Sequence, residues 1–299
     1  MWKMILHKMF WNTMNFLFKV YSTDNNRIRI IEFAGIKIKF KRHTFNWYKS
    51  SEDETNIQKY IEYQKSRKAK SVMYTCVIND YDDIEEIDAL KYINKDWDYI
   101  CFTDNNDHIT KGHVGIWEIR PLQFTTLDNT RNNRWHKLHP HILFPEYEES
   151  IYIDSNINIL TPYLFNIIKK KNSCFVLPKH YKNNCIYKEY YDILKLGLDD
   201  ENLIKKERNL IINSGMPHNW GFPENNILYR RHNIDIIKKI DEEWWYMVQN
   251  YSKRDQLSLS YLLWKYGFDI KKITFKNSRL DCKNFFVISH KKDKKGNLL

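Results

Sequence analysis

Asp154-Ser155-Asn156 ends the apolar run SIYI in SIYIDSNINI, and its residue types can do chemistry. Residues two apart on an extended chain point to the same side, so this carboxylate and amide can share a divalent cation or a metal–diphosphate complex. Mg²⁺ and Mn²⁺ take oxygen ligands, and an Asn supplies a neutral one. Two other apolar runs end alike: MYTCVIND closes on Asn79 and Asp80, and DYICFTD on Asp104. One polar strand end is a turn signal. Three of them at the carboxyl edge of one α/β sheet would form an acidic site for ribose hydroxyls and a phosphate-bound cation.

Other candidates lie outside these strand ends. Arg131, Arg134 and Lys137, in RNNRWHKLHPHILF, can face a diphosphate. His136, His139 and His141 in the same segment suggest either a metal or, more simply, a helix with polar faces. Asp255, in SKRDQ ahead of an apolar helix, pairs with Ser252 in the capping-box spacing, or serves as a base toward an acceptor hydroxyl. Glu224 sits in the loop GFPENN, His180 follows an apolar run, and His290 after FFVIS can reach back as a late metal ligand.

These residues need strands and helices that alternate. Apolar runs at 73–80, 98–104, 150–154, 173–180 and 227–232 read as strands. Amphipathic stretches at 84–93, 131–144, 162–171, 185–214, 234–247 and 252–267 read as helices, with Gly267 as a C-cap. Residues 105–120 read as a loop. The alternation implies an α/β sheet with crossovers. The dinucleotide fingerprint GxGxxG, the phosphate loop GxxxxGK[ST] and the hydrolase elbow GxSxG are all absent, which disfavours those enzyme classes.

The charge is uneven. Residues 1–72 carry 15 Lys/Arg against 6 Asp/Glu, residues 73–290 carry 29 against 30, and residues 291–299 carry 4 against 1. Basic ends on a neutral middle suit an anionic membrane surface, or simply keep the chain soluble. They are not the charged reading face of a nucleic-acid binder, so no nucleic acid is expected. The opening MWKMILHKMFWNTMNFLFKVYS is broken by Lys and Asn too often for a membrane span, and it lacks a small-residue cleavage site. Its apolar residues at helical spacing suit an interfacial helix or one packed on the protein's own body. RIRIIEFAGIKIKFKR, residues 27–42, reads as a two-sided strand or hairpin, and residues 49–70 as a linker helix. Five cysteines, an odd number without any CxxC, point to a reducing compartment.

Together the blocks YTCVINDYDD, DYICFTD, WEIRPL, RNNRWHKLHPHILFPEYEESIYIDSNINI, HYKNNCIYKE, GFPENNILYRRHN and SKRDQLSLSYLLWKYG resemble a glycosyltransferase-like family. That family was first catalogued as a domain of unknown function, with bacterial members and plant relatives linked to cell-wall and mucilage polysaccharides. The resemblance covers about residues 72–290. It implies a GT-A-type fold: α/β, with a Rossmann-type mixed sheet flanked by helices, binding a nucleotide sugar. It divides the chain into a basic extension (1–71), a glycosyltransferase domain (72–290) and a basic tail (291–299). IIEFAGIKIKFK resembles a leader of bacterial lipopolysaccharide and capsule glycosyltransferases.

The resemblance also implies roles. Asp154 would be the first acid of the metal motif, with Asn156 where a second acid is usual. Asn79, Asp80 and Asp104 would line the nucleotide pocket, with Arg134 and Lys137 near it. His180, Cys185, Tyr187 and Glu189 match the family's His followed by Cys-x-Tyr-x-Glu. Glu224, Arg254, Asp255 and Gln256 would face the sugar or the acceptor, with Asp255 or Glu224 as the base. Asp154, Asn156 and His290 are then the candidate ligands of Mn²⁺ or Mg²⁺; alternatively, with Asn156 in the second place, the pyrophosphate leans on Arg or Lys and a metal is optional. The expected function is transfer of a sugar, from a UDP-sugar first of all, to a surface polysaccharide or lipid-linked glycan. The setting would be cytoplasmic, on the inner face of the membrane. The alternative is a non-catalytic nucleotide-sugar or glycan-binding subunit of an assembly complex.

Overall fold

The computed structural model describes residues 18–23, 28–33, 36–41, 58–59, 61–63, 65–66, 68–82, 84 and 92–288. The chain falls into two units, Met1–Glu52 and Asp53–Leu299. The first holds a three-stranded antiparallel sheet of β1 (Phe18–Thr23), β2 (Ile28–Phe33) and β3 (Ile36–Lys41). β2 and β3 are the expected hairpin. β1 corrects the helical reading of residues 1–22 at its end: FKVYST is rich in β-branched and aromatic residues and pairs with β2 along its length. Residues 1–17 lie outside the described residues.

In the second unit the strands are β4 (Ser71–Val77), β5 (Trp97–Thr103), β6 (His113–Val114), β7 (Trp117–Pro121), β8 (Glu149–Ile153), β9 (Ile157–Ile159), β10 (Phe175–Pro178), β11 (Ile227–Arg230), β12 (Thr274–Phe275) and β13 (Phe285–Val287). Every residue of β4 is buried. Its apolar run has no polar face because it lies inside the sheet with both sides covered. Val72, Tyr74 and Cys76 enter one core, while Met73 and Val77 enter the other. The eight-stranded sheet runs β12-β10-β11-β8-β4-β5-β7-β6. β8, β4, β5 and β7 run parallel to one another, as do β10 and β12, while β11 and β6 run antiparallel to the strands beside them. This is the expected mixed, mostly parallel α/β sheet flanked by helices.

The helices Asn129–Leu138, Ile186–Leu196, Glu201–Asn213, Asp235–Asn250 and Asp255–Lys265 contribute to the core holding Tyr74. Tyr163–Lys171 packs on the other side through Leu164 and Ile168. Residues 105–120 are not a plain loop. Asn105 caps a helix, Asn106–Lys111, by accepting from the Asp107 and His108 amides. Gly112, at φ 73, ends it, and β6–β7 follows as a hairpin. Of the expected helix at 84–93, only Ile84, Tyr92 and Ile93 are described. Ser252 is not an N-cap: the helix begins at Asp255 behind Arg254, and the Ser252 hydroxyl donates to Asp199 at 2.7 Å.

Candidate functional site

Because β4, β5 and β8 are parallel, their carboxyl ends share one edge. β11 runs the other way, so the residues before it reach the same edge, and the Asp154 amide donates to the Asn226 carbonyl at 2.8 Å. The topology thus gathers the ends of β4, β5 and β8 with the start of β11.

The first group is a turn. Asn79 and Asp80 lie at φ 55 and 48, and the Tyr81 amide donates to the Ile78 carbonyl. Positive φ at both central residues is a type I′ turn, which Asn and Asp tolerate best among side-chain-bearing residues. The Asn79 amide donates to both Asp104 carboxylate oxygens, at 2.9 and 3.1 Å. The Asn105 amide group donates to Asp80 at 3.0 Å. Asp104 therefore pins the β4 turn to the β5 end.

The second group is a charged cluster. Asp128 opens the helix Asn129–Leu138 by accepting from the Arg131 amide. Asn133 ties the helix to β4 by donating to the Cys76 carbonyl at 2.7 Å. It delivers Arg134 and Lys137 to the edge. Lys137 Nζ lies 2.8 Å from Asp255 Oδ2 and 3.6 Å from Asp154 Oδ1, and Arg134 Nε lies 3.0 Å from Asp255 Oδ1. Asn225 donates to Asp255 Oδ2 at 2.7 Å. The Lys137 side chain is 1% exposed, Arg134 26% and Asp154 31%. Lys137 is the floor of the cluster, while Asp154 and Arg134 face outward. Burial pushes the Asp255 carboxyl up, but Arg134 and Lys137 outweigh it and hold its pKa below the usual carboxylate range. With both oxygens engaged, Asp255 holds the basic pair in place and is poorly set to act as a base. Arg254 stands immediately before Asp255, at the N-terminus of the helix that Asp255 opens. Gln256 instead donates to the Pro223 carbonyl at 3.0 Å.

The third group surrounds Glu224. Arg279 Nε donates to its Oε1 at 2.8 Å, and Ser278 and Asn226 donate to Oε2, each at 3.3 Å. Burial raises the Glu224 pKa against these donors. Gly221, at φ 131, shapes the loop ahead of it. A Cβ there would stand 2.9 Å from Ile270 side-chain carbons, so only glycine fits.

His180, at the end of β10, accepts from the Asn183 amide at 2.8 Å. Asn183 donates to Glu189 at 2.6 Å, Tyr187 donates to the Met216 carbonyl, and Cys185 accepts from the Asn219 amide. These residues adjoin the Glu224 group, because the His180 amide donates to the Phe222 carbonyl at 3.1 Å and Arg279 lies 5.9 Å from the centre of the Tyr181 ring. Asn225 and Arg279 carry contacts that the sequence reading did not assign. Asn225 stood in the loop GFPENN, whereas nothing in KNSRLD marks Arg279.

The expected metal fits these residues poorly. The Asn156 amide donates to the Ile288 carbonyl at 3.1 Å, where the chain runs on from β13 beside β9. Asp154 already faces an ammonium. Among the described residues, no three His, Cys, Asp or Glu side chains converge to hold an ion. His136 and His139 bond helix carbonyls and His141 bonds Glu242. His290 lies outside the described residues.

The curated relative Probable hexosyltransferase MUCI70 of Arabidopsis thaliana is 25% identical over 211 residues, covering 63% of this chain and 36% of that protein. The chain thus spans well under half of that relative. Among solved structures, the WbbM bifunctional glycosyltransferase in its apo form matches with TM-score 0.43 and 12% identity, over 70% of this chain and 39% of that one. The galactosyltransferase LgtC, in complex with donor and acceptor sugar analogues, matches at 0.40 and 12%, over 64% and 70%. Mouse xyloside xylosyltransferase 1 matches at 0.41 and 7%, over 70% and 85%. A family model described as TOD1/MUCI70, glycosyltransferase-like domain, matches residues 46–290, which is most of the chain. The chain belongs to the TOD1/MUCI70 glycosyltransferase-like domain family.

Proposed function

We propose that the chain is a glycosyltransferase that moves a hexose from a nucleotide-sugar donor, a UDP-sugar first of all, to a surface polysaccharide or lipid-linked glycan. The observation that carries this reading is the single sheet edge where Asn79, Asp80, Asp104, Asp154, Arg134 and Arg254 meet. Asp80 and Asp104 are suited to accept from ribose hydroxyls. The leaving diphosphate gains charge as the glycosidic bond breaks, and fixed cations aimed at it lower the barrier. Arg134, braced by Asp255, is such a cation. Glu224 has both oxygens engaged as Asp255 does, but burial raises its proton affinity where Arg134 and Lys137 lower that of Asp255. Of the two it is the carboxylate that could take a proton from an acceptor hydroxyl once a hydrogen-bond donor is released. In a panel of sugar nucleotides, at least one UDP-hexose is expected to release UDP, and Arg134→Ala is expected to slow that release by about 10²-fold or more. A folded chain that neither binds nor turns over any donor would defeat the proposal.

A second reading, a non-catalytic nucleotide-sugar-binding subunit, draws on the engagement of Asn156 by Ile288. It predicts binding without turnover, and transfer to any acceptor ends it.

We also place the chain on an anionic membrane surface through its basic ends, on the cytoplasmic side. Among the described residues no helix is long and apolar enough to cross a membrane. The full chain is expected to co-sediment with phosphatidylserine vesicles, and a chain lacking residues 1–22 to do so less. Equal sedimentation by both removes this assignment.

A further inference from the structure

A part-exposed carboxylate beside a buried one, at the edge proposed to hold phosphates, ordinarily calls for a cation. Here the chain supplies one. The Lys137 ammonium lies between Asp154 and Asp255, at 3.6 and 2.8 Å, and 4.9 Å from the centre of the Tyr152 ring. Its other end is held as firmly. The Lys137 carbonyl, in the last turn of its helix, accepts from Tyr74 Oη at 2.8 Å and from Arg230 Nη2 at 2.6 Å. Arg230 Nη2 also donates to Tyr74 Oη, and Nη1 donates to Asp241 Oδ1 at 2.8 Å. Tyr74, Arg230 and Asp241 have no exposed surface. A side chain clamped at both ends and 1% exposed does not swing away to admit an ion. Asp154, Asp255, Lys137 and Arg134 together carry no net charge at neutral pH, so a divalent ion would enter against two fixed positive charges.

We infer that Lys137 is the built-in cation of this site, standing between Asp154 and Asp255 in place of a divalent metal, and that a nucleoside diphosphate is bound here by Arg134 and Arg254 without one. The second half of the inference rests on the donor reading above, and the first half does not. Arg230, Asp241 and Tyr74 are then positioning residues, which act on the diphosphate only by fixing the Lys137 backbone.

Two measurements on the full chain test this. The first is equilibrium dialysis against Mn²⁺ without nucleotide. The wild-type chain is expected to retain no ion, and Lys137→Gln, shown to be folded by circular dichroism, to gain a site. Retention of one Mn²⁺ by the wild type, or no gain in a folded Lys137→Gln, overturns the built-in cation. The second is calorimetric titration of the wild type with UDP, in chelator and in Mn²⁺. Equal affinity supports the inference, and binding only with Mn²⁺ overturns it. This titration decides where Lys137→Gln fails to fold. A chain that binds no UDP in either condition removes the donor reading, and with it the diphosphate half of the inference. The dialysis result then judges Lys137 alone.

Discussion

Asp255→Asn is expected to destabilise the folded chain by about 3–5 kcal/mol, the cost of breaking a buried ion pair from one side. The Lys137 ammonium cannot reach water, and after the substitution its remaining carboxylate is Asp154 at 3.6 Å. Arg134 loses its partner too, but a quarter of its side chain reaches solvent, which lowers its share of the penalty. Urea unfolding followed by the fluorescence of the 10 tryptophans checks the figure. A loss under about 1 kcal/mol would mean that the pair counts for no more than an exposed one. The double variant Lys137→Met/Asp255→Leu separates stability from function. Replacing both buried charges by apolar groups of similar volume is often close to neutral, so most of the stability should return. Donor turnover should stay down by about 10²–10³-fold, because nothing then aims Arg134.

Much of the architecture follows from local sequence. MYTCVIND, DYICFTD and SIYID announced their strands within a few residues, because strands buried on both faces are continuous apolar runs. Alternation with helices implied parallel crossovers, which put Asn79, Asp104 and Asp154 on one edge. The charged cluster was less legible. The helix Asn129–Leu138 buries Asn132, His136, Lys137 and Leu138, a mostly polar set with little apolar periodicity. Its sequence reads equally well as a partly exposed helix. Only the distant partners that satisfy those side chains reveal the burial: Asp255 for Lys137, and Arg230 and Tyr74 for its carbonyl. The direction of Asn156 was equally hidden, since it depends on Ile288, a residue 132 positions away. Ser252 shows the reverse error. A capping spacing read locally gave way to Asp199, which takes the hydroxyl and the Lys253 amide.

Buried histidines make the fold acid-labile. Burial lowers the pKa values of His136, His139 and His232 to about 4 each. Their hydrogen bonds suit neutral rings: His136 Nε2 accepts from the Gln123 amide while Nδ1 faces the Asn132 carbonyl, and His139 is stacked on Trp135. A base whose folded pKa is depressed gives stability that is full above its unfolded pKa, near 6.5, and lost as pH falls toward the folded value. Each histidine gives up roughly 2 kcal/mol between pH 7 and pH 5, so the three together give up about 5–6 kcal/mol. Three buried carboxyls work the other way, Glu224 among them because burial raises its pKa too. Burial raises Asp241 to about 6 and Glu207 well above its usual value, so both gain stability as pH falls. Asp241 returns about 1 kcal/mol over that range, and Glu207 returns a further part. Near pH 5.5 the three histidines outweigh these carboxyls, so the unfolded chain binds more protons and stability falls on further acidification. Urea midpoints should therefore be lower at pH 5 than at pH 6. Long-range ¹H–¹⁵N spectra of the folded chain at pH 5 should still show three neutral imidazoles. A stability curve that is flat or rises toward pH 5, or rings already protonated there, would show that these histidines are not shielded as the geometry requires.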